Sequence, residues 1–319
     1  MRVFVTGASG WIGSAVVPEL LEHGHEVVGL ARSDASAQRI AAAGAEVLRG
    51  DLDTLDVLEA GAKGSDAVIH LAFVHDFGNF AESLRKDRGA IDTIGRALEG
   101  TGHPFAIASG TLGLTPGRVA TERDTPDPAT AHPRTQSAAA ALALADRGVR
   151  PIIVRLAPTV HGEGDGGFLP TLITIARERG VAGYIGDGTN RWTAVHRSDA
   201  ATLFRLAVEA AANQAAASEA GASEGQAEHA QADQAQASRD RAVLHAVAEE
   251  GVTGREIAEA IGRGLGLPTG SATPEDFGWI GPLFALDSPA SHKLTGELLG
   301  WKPTGPTLID DLSAGHYFK

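Results

Sequence analysis

Gly7, Gly10 and Gly13 stand three residues apart, directly after the β-prone run Arg2-Val3-Phe4-Val5-Thr6 and directly before an amphipathic stretch. Such a chain is constrained to a strand, a tight turn and a helix. Gly7 permits the turn, Gly10 lets the backbone approach a pyrophosphate, and Gly13 lets helix and strand pack closely. The helix start then presents free N–H groups and the positive end of its dipole to the phosphates. Forty glycines occur in the chain, so spacing alone is weak, and the strand–turn–helix context gives it meaning. Ser9, Trp11 and Ile12 complete this turn and count with the three glycines as cofactor-binding positions.

The rest of the N-terminal half repeats the alternation. Strands are expected near 2–6, 26–31, 46–49, 66–71, 104–109 and 150–156, and helices near 11–23, 36–43, 54–61, 78–100 and 135–147. Runs such as Ala67-Val68-Ile69-His70-Leu71 and Pro151-Ile152-Ile153-Val154 are apolar on both faces, as in a parallel sheet covered by helices on each side. The fold class is therefore α/β, a doubly wound parallel Rossmann sheet with a smaller C-terminal substrate-binding region. The expected boundaries are 1–162 for the nucleotide-binding domain, with returns near 193–212 and 242–249, and 163–319 for the remainder. After Gly162 the pattern loosens into glycine-rich loops and a helix near 168–179.

Residues 213–241 consist almost wholly of Ala, Gln, Ser, Glu, Asp and Gly. They lack the apolar surface to offset their ordering entropy and read as a solvated low-complexity linker with some alanine-driven helicity. Beyond it, Val243–Val247 reads as a strand. Thr253 and Glu256 form a capping-box pattern, after which Ile257, Ile261 and Leu265 share one helical face that Gly264, Gly266 and Pro268 terminate.

Net charge is 27 − 40 = −13, which argues against a nucleic-acid partner, since such surfaces are basic. Cysteine is absent, which removes disulfides, thiolate nucleophiles and Cys-ligated zinc. No signal-peptide pattern follows Met1 and no apolar run approaches the ~20 residues of a membrane span, so a soluble, cytoplasmic protein is expected. The twelve histidines include no His-Glu-x-x-His pattern, and no metal site is expected. His23-x-His25 lies at the exit of the first helix, where cations complement the dipole.

The second strand ends Gly29-Leu30-Ala31-Arg32-Ser33. Where a carboxylate would bond the ribose 2′-hydroxyl of NAD, Arg32 and Ser33 offer a guanidinium and a hydroxyl suited to a 2′-phosphate. NADP is therefore the expected cofactor over NAD, although Asp34 lies close enough to take the acidic role.

With these features the sequence resembles the short-chain dehydrogenase/reductase superfamily, in its extended or atypical epimerase/dehydratase-like branch. The resemblance covers the chain except 213–241. Gly50-Asp51-Leu52 is similar to the adenine-contacting segment, making Asp51 and Leu52 cofactor-binding positions. His70-Leu71-Ala72 resembles the turn along the cofactor, adding Leu71 and Ala72. Arg155-Leu156-Ala157-Pro158-Thr159-Val160-His161-Gly162 is similar to the segment holding the nicotinamide, which adds Ala157, Thr159 and Val160. Gly186 to Ala201, with Arg191 and Asp199, and Leu299-Gly300-Trp301-Lys302-Pro303 resemble later family signatures.

The resemblance implies a catalytic Tyr with a Lys four residues later, and a Ser or Thr. Only Tyr184 and Tyr317 occur, neither preceding such a Lys. The usual pair is missing. Some atypical members look as if they use His-x-x-x-Arg; here His132 is followed by Gln136, with Arg134 in the neighbouring turn, so His132 and Arg134 are candidate catalytic groups. Ser109 and Thr111 follow the fifth strand and are candidates to orient the substrate oxygen. His161 is a candidate acid because imidazole titrates near neutrality. His75, after the strand-four turn, and Arg191, at a family position that can hold an anionic or diphosphate group, are the substrate-binding candidates. The expected function is an NADP-dependent oxidoreductase acting on a small carbonyl or alcohol. An NAD-dependent epimerase/dehydratase and a non-catalytic NADP-binding regulator are the alternatives. If the family's usual homodimer applies, helices 78–100 and 135–147 form its two-fold interface.

Overall fold

The structure, a computed structural model, describes residues 1–74, 79–126, 135–222 and 242–319. Five strands begin the central sheet: β1 (Arg2–Thr6), β2 (Glu26–Ala31), β3 (Glu46–Arg49), β4 (Ala67–His70) and β5 (Pro104–Gly110). With β6 (Arg150–Leu156) and a late strand, Ala242–Ala246, they make a seven-stranded parallel sheet. Helices α1 (Gly13–Glu22), α2 (Asp34–Ala42), α3 (Leu55–Lys63), α4 (Phe80–Ala97) and α5 (Thr135–Leu142) connect them. Val3 pairs with Val27 on one side and with Ala67 on the other. The strand order reverses at β1, and in open α/β sheets ligands bind beyond the carboxyl ends of the strands at such a switch point.

The chain divides into two compact units, Met1–Ser109 with Pro133–Val154 and Ala201–Val243, and Gly110–His132 with Arg155–Ala200 and Leu244–Lys319. In the first unit, Ile91 and Ile94 of α4 and Leu98, which caps it, bury with Phe4 and Phe105 of the sheet. Burial of each such side chain stabilises by roughly 1.5–3 kcal/mol. α5 stops at Leu142 and tightens into a 3₁₀ turn over Ala143–Arg147, closed by Gly148 at φ 72°. The single helix read for 135–147 is thus two pieces. Helix α7 (Arg197–Ala222), which follows α6 (Phe168–Arg179), extends ten residues past position 212, into the stretch read as a linker. Alanine's high helix propensity accounts for that extension. Arg205 of α7 bonds Glu19 of α1 at 2.8 Å and Glu209 at 2.8 Å, and His25 also reaches Glu209 at 2.8 Å.

The second unit contains strands that the loop-like sequence after Gly162 concealed. β7 (Thr159–His161), β8 (Ala182–Ile185) and β9 (Arg191–His196) precede the late strand, now β10, with β11 (Glu249–Thr253) and β12 (Thr269–Ala272) after it. They form a three-stranded sheet in the order β11-β9-β7 and a two-stranded sheet β12-β8. Trp192 of β9 packs edge-on to Phe284, with ring centroids 5.3 Å apart. α8 (Gly254–Leu265) opens with the expected capping box, buries Ile257 and Ile261, and ends at Gly266 in the left-handed conformation. Among the described residues no helix is long and apolar enough to cross a membrane.

Candidate functional site

The glycine turn has the geometry of a phosphate cradle. Gly7 has φ +68°, and a Cβ on it would lie 2.7 Å from the amide nitrogen of Ala72. A Cβ on Gly13 would lie 2.1 Å from the Gly7 carbonyl oxygen. Gly10 donates its N–H to that same oxygen at 2.9 Å. The helix begins at Gly13 rather than at Trp11; no side chain caps it and its first turn holds no acidic residue. That leaves the positive end of the dipole for an anion. Ser9, Trp11 and Ile12 are half-buried around the turn, and Gly10 is exposed.

At the end of β2, Arg32 is exposed. The Ser33 hydroxyl caps α2, accepting from the Ser36 N–H at 3.2 Å. Asp34, the acidic residue nearest the ribose position in sequence, forms an ion pair with Arg49 of β3. Asp51 accepts the N–H groups of Asp53 and Thr54 at 3.0 and 3.1 Å, opening α3, while Leu52 is buried.

Directly beneath the turn lies a buried polar chain that sequence reading did not single out. Thr6 Oγ1 accepts the Ala72 N–H at 3.3 Å and meets His70 Nδ1 at 2.8 Å. His70 Nε2 lies 3.4 Å from Asp87 of α4, and the other Asp87 oxygen accepts the Ser137 hydroxyl of α5 at 2.6 Å. The Leu71 N–H bonds the Thr6 carbonyl at 3.2 Å.

Ser109 and Thr111 part company. Ser109 is half-buried at the carboxyl end of β5, and no described residue bonds its hydroxyl. Thr111 is 1% exposed; its hydroxyl lies 3.3 Å from the Leu156 carbonyl and 3.1 Å from Thr193.

In the second unit, Ala157 is buried with its N–H on the Ala246 carbonyl. The Thr159 hydroxyl is buried without a partner among the described residues, and Val160 is half-buried. His161 is 0% exposed. Its Nδ1 lies 2.8 Å from Asp311, so Nδ1–H donates and Nε2 is left as a buried lone pair without a partner. Burial lowers its pKa against the opposing pull of the Asp311 carboxylate. Arg191 grips Asp287 with two side-chain bonds of 2.9 and 2.8 Å, and its N–H bonds the same carboxylate at 2.9 Å. His75, His132 and Arg134 lie outside the described residues.

The model of the NAD dependent epimerase/dehydratase family matches residues 3–218. The chain belongs to that family. Over the full length of both chains it is 43% identical to an uncharacterized protein of Schizosaccharomyces pombe. It is 30% identical to the 2-alkyl-3-oxoalkanoate reductase of Stenotrophomonas maltophilia over 66% of each chain. A solved structure of MoeE5 with UDP-glucose and NAD superposes with a TM-score of 0.71 at 23% identity, covering 99% of this chain and 97% of that one; at that identity the likeness shows the fold. The family is NAD(P)-dependent, which agrees with the glycine cradle.

Neither Tyr184 nor Tyr317 is followed by a lysine four residues later. The Tyr317 hydroxyl accepts the Gly162 N–H at 3.1 Å and donates to Asp165 at 3.0 Å. Burial, then Asp165, push its pKa well above the ordinary phenol range. Tyr184 lies under the Arg255 guanidinium, 4.2 Å from the ring centroid. The later family signatures do meet: Trp301 donates to the Asp199 carbonyl at 3.1 Å, and the Asp199 carboxylate accepts the Thr304 N–H at 2.9 Å.

Proposed function

We propose that this family member is an NADP(H)-dependent reductase that interconverts a small ketone or aldehyde and its alcohol. The observation that carries the reading is the Asp34–Arg49 ion pair. It engages the carboxylate nearest to Arg32 in sequence and leaves Arg32 exposed, with no described partner. A charge-assisted hydrogen bond of ~1.5–3 kcal/mol from Arg32 would favour NADP over NAD by about 10- to 150-fold. On this reading Gly7, Gly10 and Gly13 hold the diphosphate, Asp51 and Leu52 are assigned to the adenine end, and Leu71 and Ala72 to the nicotinamide end.

Bound nicotinamide supplies the hydride. Ser109 is the group assigned to the substrate oxygen, because Thr111 already has its hydroxyl committed inside the second unit. A donor aimed where negative charge develops stabilises the transition state more than the ground state. His132, which begins the region where the family carries its tyrosine, is assigned the proton. Asp287 neutralises Arg191, which supports a carbonyl compound over a diphosphate-bearing one. The likeness to a 2-alkyl-3-oxoalkanoate reductase supports reduction at a ketone.

The test begins by denaturing freshly purified protein and identifying the nicotinamide nucleotide released, with a prior check of its exchange. NADPH oxidation is then followed over a panel of ketones and β-keto acids. Exchangeable NADP(H) with turnover supports the reductase. Tightly held NAD with conversion of a nucleotide sugar would replace it with an epimerase/dehydratase. Exchangeable NADP(H) without turnover of any carbonyl would make the chain a nucleotide-binding regulator, the alternative that the missing Tyr–Lys pair leaves open.

A further inference from the structure

The chain Ser137–Asp87–His70–Thr6 joins α5, α4, β4 and β1, and its four side chains are at most 5% exposed. Donor and acceptor chemistry gives it a direction. The Ser137 hydroxyl donates to Asp87 at 2.6 Å. A carboxylate only accepts, so the His70 proton on that side sits on Nε2. Thr6 Oγ1 receives the Ala72 N–H, and its own hydrogen is free to point at His70 Nδ1, 2.8 Å away. With the proton on Nε2 and Nδ1 accepting, His70 satisfies each of these contacts at once.

The upper end of the chain is the turn that roofs Gly7. Ala72 N stands 2.7 Å from where a Gly7 Cβ would be, so the Leu71–Ala72 turn packs directly on the backbone of the glycine cradle. The lower end is Ser137, in the helix that follows His132 and Arg134 in sequence.

We propose that Asp87 and His70 are positioning residues for nucleotide binding: by fixing the histidine tautomer they fix the orientation of the Thr6 hydroxyl, which holds the Leu71–Ala72 turn at the height the dinucleotide needs. Neither residue touches the nucleotide. This inference rests on the nicotinamide-nucleotide reading above. It adds that the affinity of the cradle is set three hydrogen bonds away, from Asp87 of α4.

Thr6→Val keeps shape and removes the hydroxyl, leaving both the Ala72 N–H and His70 Nδ1 without their partner. Asp87→Asn places an amide against His70 and permits the opposite tautomer, Nδ1–H. The measurements are the NADPH dissociation constant, the His70 tautomer from imidazole ¹⁵N shifts, and hydrogen exchange at the Ala72 amide. Wild-type His70 is expected as Nε2–H. Thr6→Val and Asp87→Asn are each expected to weaken NADPH about tenfold or more and to speed Ala72 exchange. Thr6→Ser is expected to restore both within about twofold, a rescue that generic loss of packing would not give.

Faster Ala72 exchange in Thr6→Val with NADPH affinity unchanged would overturn the proposal, as would an Nδ1–H tautomer in the wild type. If wild-type protein binds no nicotinamide nucleotide, the functional reading fails by itself. Tautomer and Ala72 exchange still decide whether the chain holds the turn, and unchanged exchange in Thr6→Val would show that it does not. Should Thr6→Val fail to fold, Ser137→Ala removes only the far end of the chain. A shift in the His70 resonances with weaker NADPH binding then supports the proposal, and unchanged values for both overturn it.

Discussion

Acidification from pH 7 to 4.5 should destabilise the protein through His245. Its imidazole is 0% exposed on β10, with Nδ1 2.8 Å from the Ser291 carbonyl and Nε2 3.3 Å from the Arg155 guanidinium. Nδ1 must donate and Nε2 must accept, so the ring has no place for a second proton. Burial first, and the neighbouring guanidinium, push its pKa from 6.5 down to about 4 against the opposing pull of Glu122. The sign follows from linkage. Below pH 6.5 the unfolded chain binds this proton and the folded chain does not, so stability falls as pH drops. The loss is complete near pH 4, at about 3 kcal/mol for a shift of this size, and is about 2–3 kcal/mol at pH 4.5. His161 is lowered by burial and contributes in the same sense, whereas Asp165 and Glu249, both raised by burial, oppose it. Urea unfolding of wild type and His245→Asn at both pH values isolates the one residue. The variant keeps an N–H for Ser291 and cannot titrate, so its stability should fall less on acidification, by that same about 2–3 kcal/mol. Parallel losses in the two proteins would refute the reasoning.

Arg32→Ala should weaken NADPH by about 10- to 150-fold and leave NADH within about twofold, measured by nucleotide titration; equal losses would remove the 2′-phosphate assignment. Arg49→Ala, which frees the Asp34 carboxylate, should weaken NADPH in the same direction, and a variant that gains affinity would show that Arg49 competes with the ligand. Gly13→Ala would put a Cβ 2.1 Å from the Gly7 carbonyl oxygen, so nucleotide binding should be lost with a lowered melting temperature; wild-type affinity would show that the cradle is not used. Asp287→Ala releases the Arg191 guanidinium and should raise the affinity for inorganic pyrophosphate at least about fivefold. Unchanged affinity would mean that Asp287 is not what keeps Arg191 from an anion.

Local signals carried the sequence reading where they existed. The glycine turn, the buried strands of the central sheet and the Thr253–Glu256 capping box each depend on residues a few positions apart, and each formed as read. The strands after Gly162 had no such signal. β9 reads Arg191-Trp192-Thr193-Ala194-Val195-His196 without alternation and exists because Ala194 pairs with Thr159 on one side and Glu249 on the other. The site suffers the same limit more severely. Arg191 and Asp287 are 96 residues apart, Thr6 and His70 are 64 apart, and Asp87 and Ser137 are 50 apart. No spacing rule connects such pairs, so the sequence showed Arg191 as a candidate for an anionic group without showing its partner Asp287, and passed over Asp87 altogether. His161 illustrates the converse: its chemistry was legible, but its burial against Asp311, 150 residues away, was not.

Two features of the proposed reading, the missing Tyr–Lys pair and the Arg191–Asp287 ion pair, bear on the same choice between reactions. On the proposed reading, losing the Tyr–Lys pair weakens proton transfer equally in both directions of a hydride step, since a catalyst cannot shift the equilibrium. An epimerase or dehydratase must cross such a step twice in each turnover, first oxidising a stable alcohol with a nucleotide that never leaves. A reductase crosses it once and draws its driving force from exchange with a pool of reduced nucleotide. A slower proton donor is therefore tolerable for the second chemistry and compounding for the first. The Arg191–Asp287 pair adds to this, because a nucleotide sugar brings a diphosphate that a neutralised guanidinium binds poorly, and remote binding energy of that kind is what such enzymes use to offset a difficult chemical step. Weak proton machinery and a missing diphosphate anchor would each be a handicap to an internal redox cycle, and neither obstructs the reduction of a small ketone by NADPH.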